Sequence, residues 1–151
     1  MSKVIVTNRR AHRDYEILDS FESGLELKGS EVKSLRAGKI NLNDSFARIE
    51  GSQALLYNTH ISPYAEASYQ NVDPVRIRKL LLHRNQIRKL EAQLSQKGLT
   101  LVPLKVYFND RGFAKIELAL CKGKKLYDRR EDIKRRETDM EMRRGLKSRR
   151  R

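Results

Sequence analysis

At 151 residues the chain is long enough for one domain with a real core and too short for two. Its 33 Lys or Arg stand against 19 Asp or Glu, a formal net charge of +14 and a pI near 10.2 that point to a polyanion, nucleic acid or an anionic membrane surface. No apolar run approaches the roughly 20 residues of a membrane span, and one cysteine, Cys121, excludes an internal disulfide framework and fits a reducing cytoplasm.

The first thirteen residues contain only three consecutive apolar side chains, too few for a secretory leader. Tyr15 and Ile17 alternate with polar neighbours, as do Leu25 and Leu27, and both stretches read as strands. Residues 29–39, GSEVKSLRAGK, set the Glu31 carboxylate among Lys33, Arg36 and Lys39 and bracket the group with Gly29 and Gly38. Glycines permit positive φ or close backbone approach. Cations suit phosphates, and a carboxylate can accept from a base amine. Val32 and Leu35 are assigned to core packing.

FARIE and ALLY flank Gly51-Ser52, a hairpin signal. The stretch from Asp73 to Gly98 reads as a helical insert, with Asp73 as cap, Pro74 as first helical residue and Gly98 as stop. Ile77, Leu80, Leu81, Ile87, Leu90 and Leu94 recur at helical spacing, HRNQ (83–86) allows a break into two helices, and the LLL of 80–82 is read as packing helix on barrel. LTLVPLKVYF (99–108) and FAKIELALC (113–121) flank NDRG, a second hairpin, with Ala114, Ile116, Leu118 and Leu120 on one face. Pro103 marks an edge or bulge, and Cys121 a buried thiol. Strand groups separated by a helix predict a mainly β fold: an oligonucleotide-binding barrel of about six strands with short flanking helices.

Charge is concentrated at the end of the chain. Residues 122–151 hold 14 Lys or Arg and six Asp or Glu, a net of +8. The division expected is a body over 1–125 and a basic tail over 126–151. Leu126, Ile133 and Met140 give that tail one thin apolar stripe, too sparse to dock, so it is expected to be disordered alone and to fold on a partner.

Catalytic constellations are scarce. His12, His60 and His83 lack metal-ligand spacing, KGKK (122–125) is not a phosphate-binding loop, and no Gly-x-Ser-x-Gly elbow occurs. Glu31 and Asp44 are carboxylates of the kind a metal-dependent nuclease needs, but nothing in the sequence fixes their geometry. The reading is a binding protein, not an enzyme, with no cofactor and no metal. A general ribosomal or RNA-chaperone protein shares the same fold and charge.

NRRA (8–11) with Tyr15, GSEVKSLRAGKINLNDSF (29–46), HISPY (60–64), DPVRIRKLLLHR (73–84) and KGKKLYDRRE (122–131) together resemble the small protein B, or SmpB, family of bacterial tmRNA-binding proteins, also called SsrA-binding proteins. The resemblance runs from about Asn8 to about Glu137. One departure is visible: family members often carry histidine directly before the acidic residue and Tyr, where this chain has Arg13, with His12 one position earlier. The resemblance implies a six-stranded oligonucleotide-binding barrel that binds the tRNA-like domain of tmRNA and delivers it to stalled ribosomes for trans-translation. It implies as partners tmRNA, the small-subunit decoding centre and, indirectly, alanyl-tRNA synthetase and elongation factor Tu. The setting is the bacterial cytoplasm, with no membrane and a monomer.

Carried onto this chain, the RNA-binding residues expected are Asn8, Arg9, Arg10, Glu31, Lys33, Arg36, Lys39, Lys122, Lys124 and Lys125, with Glu31 accepting from base amines. The tail is expected to enter the decoding centre and empty message path as a helix. It would offer Tyr127, Arg129, Arg130, Lys134, Arg135, Arg136, Arg143 and Arg144 to ribosomal RNA.

Overall fold

The computed structural model describes residues 3–64, 72–96, 98–123 and 136–145. Strand β1 (Lys3–Thr7) leads through helix α1 (Arg9–Asp14) into β2 (Tyr15–Leu25). Helix α2 (Gly29–Arg36), β3 (Ile40–Asn41), β4 (Phe46–Glu50), β5 (Gln53–Tyr57) and β6 (His60–Ile61) follow, then β7 (Arg78–Leu81), α3 (Arg84–Leu94), β8 (Leu99–Phe108) and β9 (Ala114–Gly123). Seven strands run in the order β1-β8-β4-β5-β7-β2-β9, and the additional β8–β9 pairing closes all but β1 into a barrel. Every pairing in this ring is antiparallel. β1 lies along part of the β8 edge, and β3 pairs with β6 in a separate small ladder.

Both hairpins form where the sequence placed them. Gly51 and Ser52 take φ of 55° and 67°, the two positive values of a two-residue turn whose twist matches its strands. At the β8–β9 tip, Gly112 has φ of 80°, and Asn109 Oδ1 accepts from the N–H groups of Arg111 and Phe113. The β8–β9 register shifts between Pro103 and Lys105, so Pro103 sits at a bulge.

The barrel interior is filled by Leu25, Leu56, Leu80, Leu101, Val106, Ile116, Leu118 and Leu120. β8 and β9 are buried on their other face as well. Val102, Leu104, Ala119 and Cys121 meet Ala11 of α1 there, with Tyr15 and Ile17 packed alongside. Helix α1 therefore rides on the outside of the barrel wall. Burial pushes the Cys121 thiol up to about 11, so it is protonated and inert at neutral pH.

The helical insert expected from Asp73 to Gly98 is corrected. Asp73 and Pro74 open a turn in which the Arg76 N–H donates to the Asp73 carbonyl and the Val75 N–H to Asp73 Oδ1. Proline favours that second turn position as readily as a helix start. β7 follows, with Arg78 and Leu80 inward and Lys79 and Leu81 outward, so Leu80 and Leu81 lie on a strand, not a helix. Helix is confined to Arg84–Leu94 and begins at His83, whose N–H donates to Gln86 Oε1. Apolar residues at 77, 80 and 81 satisfy helical spacing, while Arg78 at an inward strand position hides the alternation of period two.

Candidate nucleic-acid interface

Within the 29–39 segment, Gly29–Arg36 forms helix α2. Its amphipathic pattern places Ser30, Glu31, Ser34 and Leu35 inward and Lys33 and Arg36 outward. Gly38 ends it at φ of 74°: the Gly38 N–H donates to the Leu35 carbonyl and the Lys39 N–H to Ser34. That is a Schellman cap, and it explains the second glycine.

Glu31 does not face a partner. It is 3% exposed and both oxygens are occupied. Oε1 accepts from the Lys28 N–H at 2.8 Å and from Arg76 Nη2 at 2.6 Å; Oε2 accepts from Arg78 Nε at 2.6 Å. Arg78 is fully buried and also donates to the carbonyls of Thr59 at 2.6 Å and Pro74 at 3.0 Å. Burial by itself would raise the Glu31 carboxyl, yet the bonds from Arg76, Lys28 and Arg78 outweigh it and hold the group below its usual value. Burial lowers the Arg78 guanidinium, which Glu31 partly restores. The expected role of Glu31 as an acceptor for base amines is thus corrected: it ties α2 to β7 and to the turn before it.

Asn8 is corrected in the same way. It is 4% exposed, caps α1 by accepting from the Ala11 N–H, and donates to the carbonyls of Pro103 and Leu42. Asn8 therefore pins α1 to the bulge of β8 and to the chain just beyond β3. This brings Arg9 and Arg10, exposed on α1, to one end of the short 39–42 segment that has exposed Lys39 at its other end. Lys33 Nζ lies 5.5 Å from the Tyr64 ring centre, and the Arg36 guanidinium 6.0 Å from that of Phe108. Each cation rests on a ring and is exposed, an arrangement suited to bases and phosphates together. Lys122 is exposed on β9, in register with Glu16 and Leu99. Lys124, Lys125, Tyr127, Arg129, Arg130, Lys134 and Arg135 lie outside the described residues. Residues 136–145 are helical, with Arg136, Arg143 and Arg144 exposed.

Sequence reasoning missed Arg76 and Arg78 as partners of Glu31, and the rings of Tyr64 and Phe108. The signal was the Arg-x-Arg alternation itself, which a strand reading would have turned to one face. It also missed a cleft of about 250 Å³ between α1 and the turn before β4, lined among others by Arg10, Arg13, Tyr15, Asp44, Phe46 and Val102. The three histidines are exposed, and no group of three potential metal ligands exists among the described residues. No helix among those residues is long and apolar enough to cross a membrane.

Residues 5–148 match the family model described as SmpB protein. The chain is 55% identical to an SsrA-binding protein of Caldicellulosiruptor bescii, over 96% of this chain and 91% of the relative. It is equally 55% identical to an SsrA-binding protein of Enterococcus faecalis, over 99% and 96%. A solved structure described as "tmRNA-SmpB: a journey to the center of the bacterial ribosome" superposes with a TM-score of 0.69 at 57% identity, covering 82% of this chain and 86% of that one.

Proposed function

The chain belongs to the SmpB protein family, and on that premise we propose that it binds tmRNA, the SsrA RNA, and brings it to stalled ribosomes for trans-translation. The observation that carries this reading is the likeness, at 57% identity, to a solved chain described as tmRNA–SmpB in the bacterial ribosome. The barrel body supplies a rigid support for Arg9, Arg10, Lys33, Arg36, Lys39 and Lys122. Their charges meet the phosphates of a folded RNA whose loops expose base edges. The protein works by binding alone: it breaks and forms no covalent bond, and alanyl-tRNA synthetase and elongation factor Tu act on the RNA it holds. Its setting is the bacterial cytoplasm.

The division of labour proposed is a body over 1–125 that binds tmRNA and a tail over 126–151 that enters the decoding centre and empty message path. The helical 136–145 stretch is charge-balanced, with Arg136, Arg143 and Arg144 exposed beside Glu137, Asp139 and Glu141, and supports a tail helix that can turn its arginines to an RNA-lined channel. Truncation after Arg130 tests this. Affinity for the tRNA-like domain should stay within a few fold of the intact protein while peptide tagging on stalled ribosomes collapses. A truncated protein that tags normally overturns the tail's role. Recovery of mixed ribosomal RNA, instead of one dominant structured RNA, on the protein purified from cells overturns the tmRNA reading.

A further inference from the structure

The cleft beside α1 combines groups that a phosphate site does not need. Tyr15 and Phe46 bring aromatic surface to it, and Phe46 is itself stacked on Tyr57, with ring centres 5.3 Å apart and planes 4° from parallel. Its volume of about 250 Å³ falls below the roughly 300–1,000 Å³ of sites for drug-sized ligands and suits a single ring system. Arg10 and Arg13 line the cleft together with two carboxylates, Asp14 and Asp44, and Arg13 Nε is already bonded to Asp14 at 3.1 Å. A phosphate lodged here would face like charge.

Asp44 is exposed and sits at φ of 63°. The turn does not require its charge, because Asn adopts this backbone as readily. The Tyr15 hydroxyl is held protonated, raised by burial first and then by Cys121, Asp14 and Asp44, so it adds no further charge.

We propose that this cleft takes one unpaired guanine of the bound RNA, held against Tyr15 and Phe46 with its Watson–Crick edge on the Asp44 carboxylate. Guanine alone among the four bases presents two adjacent N–H donors, N1–H and the N2 amine, that match the two oxygens of a carboxylate. Adenine and cytosine offer one amine beside a ring nitrogen acceptor, and uracil one N–H between two carbonyls; each sets a lone pair against a carboxylate oxygen. Arg10 and Arg13 then meet the phosphates flanking the base, which fixes position, while Asp44 supplies discrimination. The inference rests on the tmRNA-binding reading above and names the base that reading leaves open.

The test uses the full-length protein, its Asp44→Asn variant, and the tRNA-like domain of tmRNA with each unpaired guanine replaced singly by inosine, which lacks the N2 amine. D44N should keep the wild-type thermal midpoint, since Asn tolerates the same backbone. It should bind the unmodified RNA on the order of tenfold more weakly. One inosine position should weaken wild-type binding several-fold and leave D44N unaffected. If D44N binds as wild type, or if no inosine position is coupled to it while both proteins still prefer this RNA over bulk tRNA, the cleft assignment is overturned. Loss of that preference in the wild type would overturn the tmRNA-binding reading, and the cleft with it.

Discussion

Replacing Glu31 by Gln keeps the side chain's shape and one acceptor oxygen but removes the charge that two arginines share. The consequence differs between them. Arg76 is 28% exposed at its side chain, and water takes over much of its solvation, so its half of the pair is worth at most about 1 kcal/mol. Arg78 is 0% exposed and keeps its carbonyl bonds to Thr59 and Pro74, but it is left with an uncompensated buried charge. Breaking one side of such a pair costs about 3–5 kcal/mol. For a chain of this size that is a fall of roughly 6–20 °C in the thermal midpoint.

The pH dependence carries a second signature. The folded Glu31 pKa lies below its unfolded value of 4.5, so its stabilisation is complete above about that pH and is lost as pH falls through the lower folded value. Urea unfolding followed by circular dichroism at pH 7 and across the acid range measures both. E31Q should be much less stable at pH 7 and should lose this part of the acid destabilisation, while its folded fraction binds RNA with an unchanged salt slope. An E31Q protein as stable as wild type but altered in RNA selectivity would refute the structural role and restore the recognition role.

Alanine at Lys33 or Arg36 should each reduce the slope of log affinity against log salt by about one, measured by fluorescence anisotropy with the tRNA-like RNA, because each removes one of the proposed phosphate contacts. Gly24→Ala would bring a Cβ to 2.9 Å from Leu81 Cβ, where a backbone-anchored atom must give way. It should cost about 1–3 kcal/mol in urea unfolding with RNA contacts intact. Cys121, 1% exposed with its thiol raised to about 11, should resist a thiol reagent at pH 8 in the folded protein and react at once in denaturant.

The hairpins around Gly51-Ser52 and Asn109–Gly112 were legible because the turn and both strands are written in contiguous residues. A barrel was legible from the strand groups, but its closure was not, because β7, which joins β5 to β2 in the ring, reads as helix in the sequence. What the sequence hid is the set of features that depend on a partner far along the chain. Glu31 meets Arg76 and Arg78, separated from it by 45 and 47 residues, and Asn8 reaches Pro103 across 95. Within residues 29–39, Glu31 sits between cations that look like its natural company, yet the helix turns Lys33 and Arg36 to the opposite face. The burial of β9 on both sides was hidden for a related reason. Ala119 shares its face of β9 with Lys115 and Glu117, and its burial shows only once α1 packs there.

The sign of a charged side chain is therefore readable from sequence, but its task depends on whether the fold covers it. Asn8 and Glu31 belong to the same motifs as Arg9, Arg10, Lys33, Arg36 and Lys39, and substitution in either group should weaken RNA binding. The route differs. Loss of a buried tie removes folded protein, while loss of an exposed cation removes a proposed phosphate contact and leaves stability unchanged. A binding defect at a motif position consequently identifies an RNA contact only when unfolding free energy is measured on the same variant and found intact. By that criterion Lys33, Arg36, Lys39, Arg9, Arg10 and Lys122 stand as contacts to be tested, and Glu31 and Asn8 as the framework that aims them.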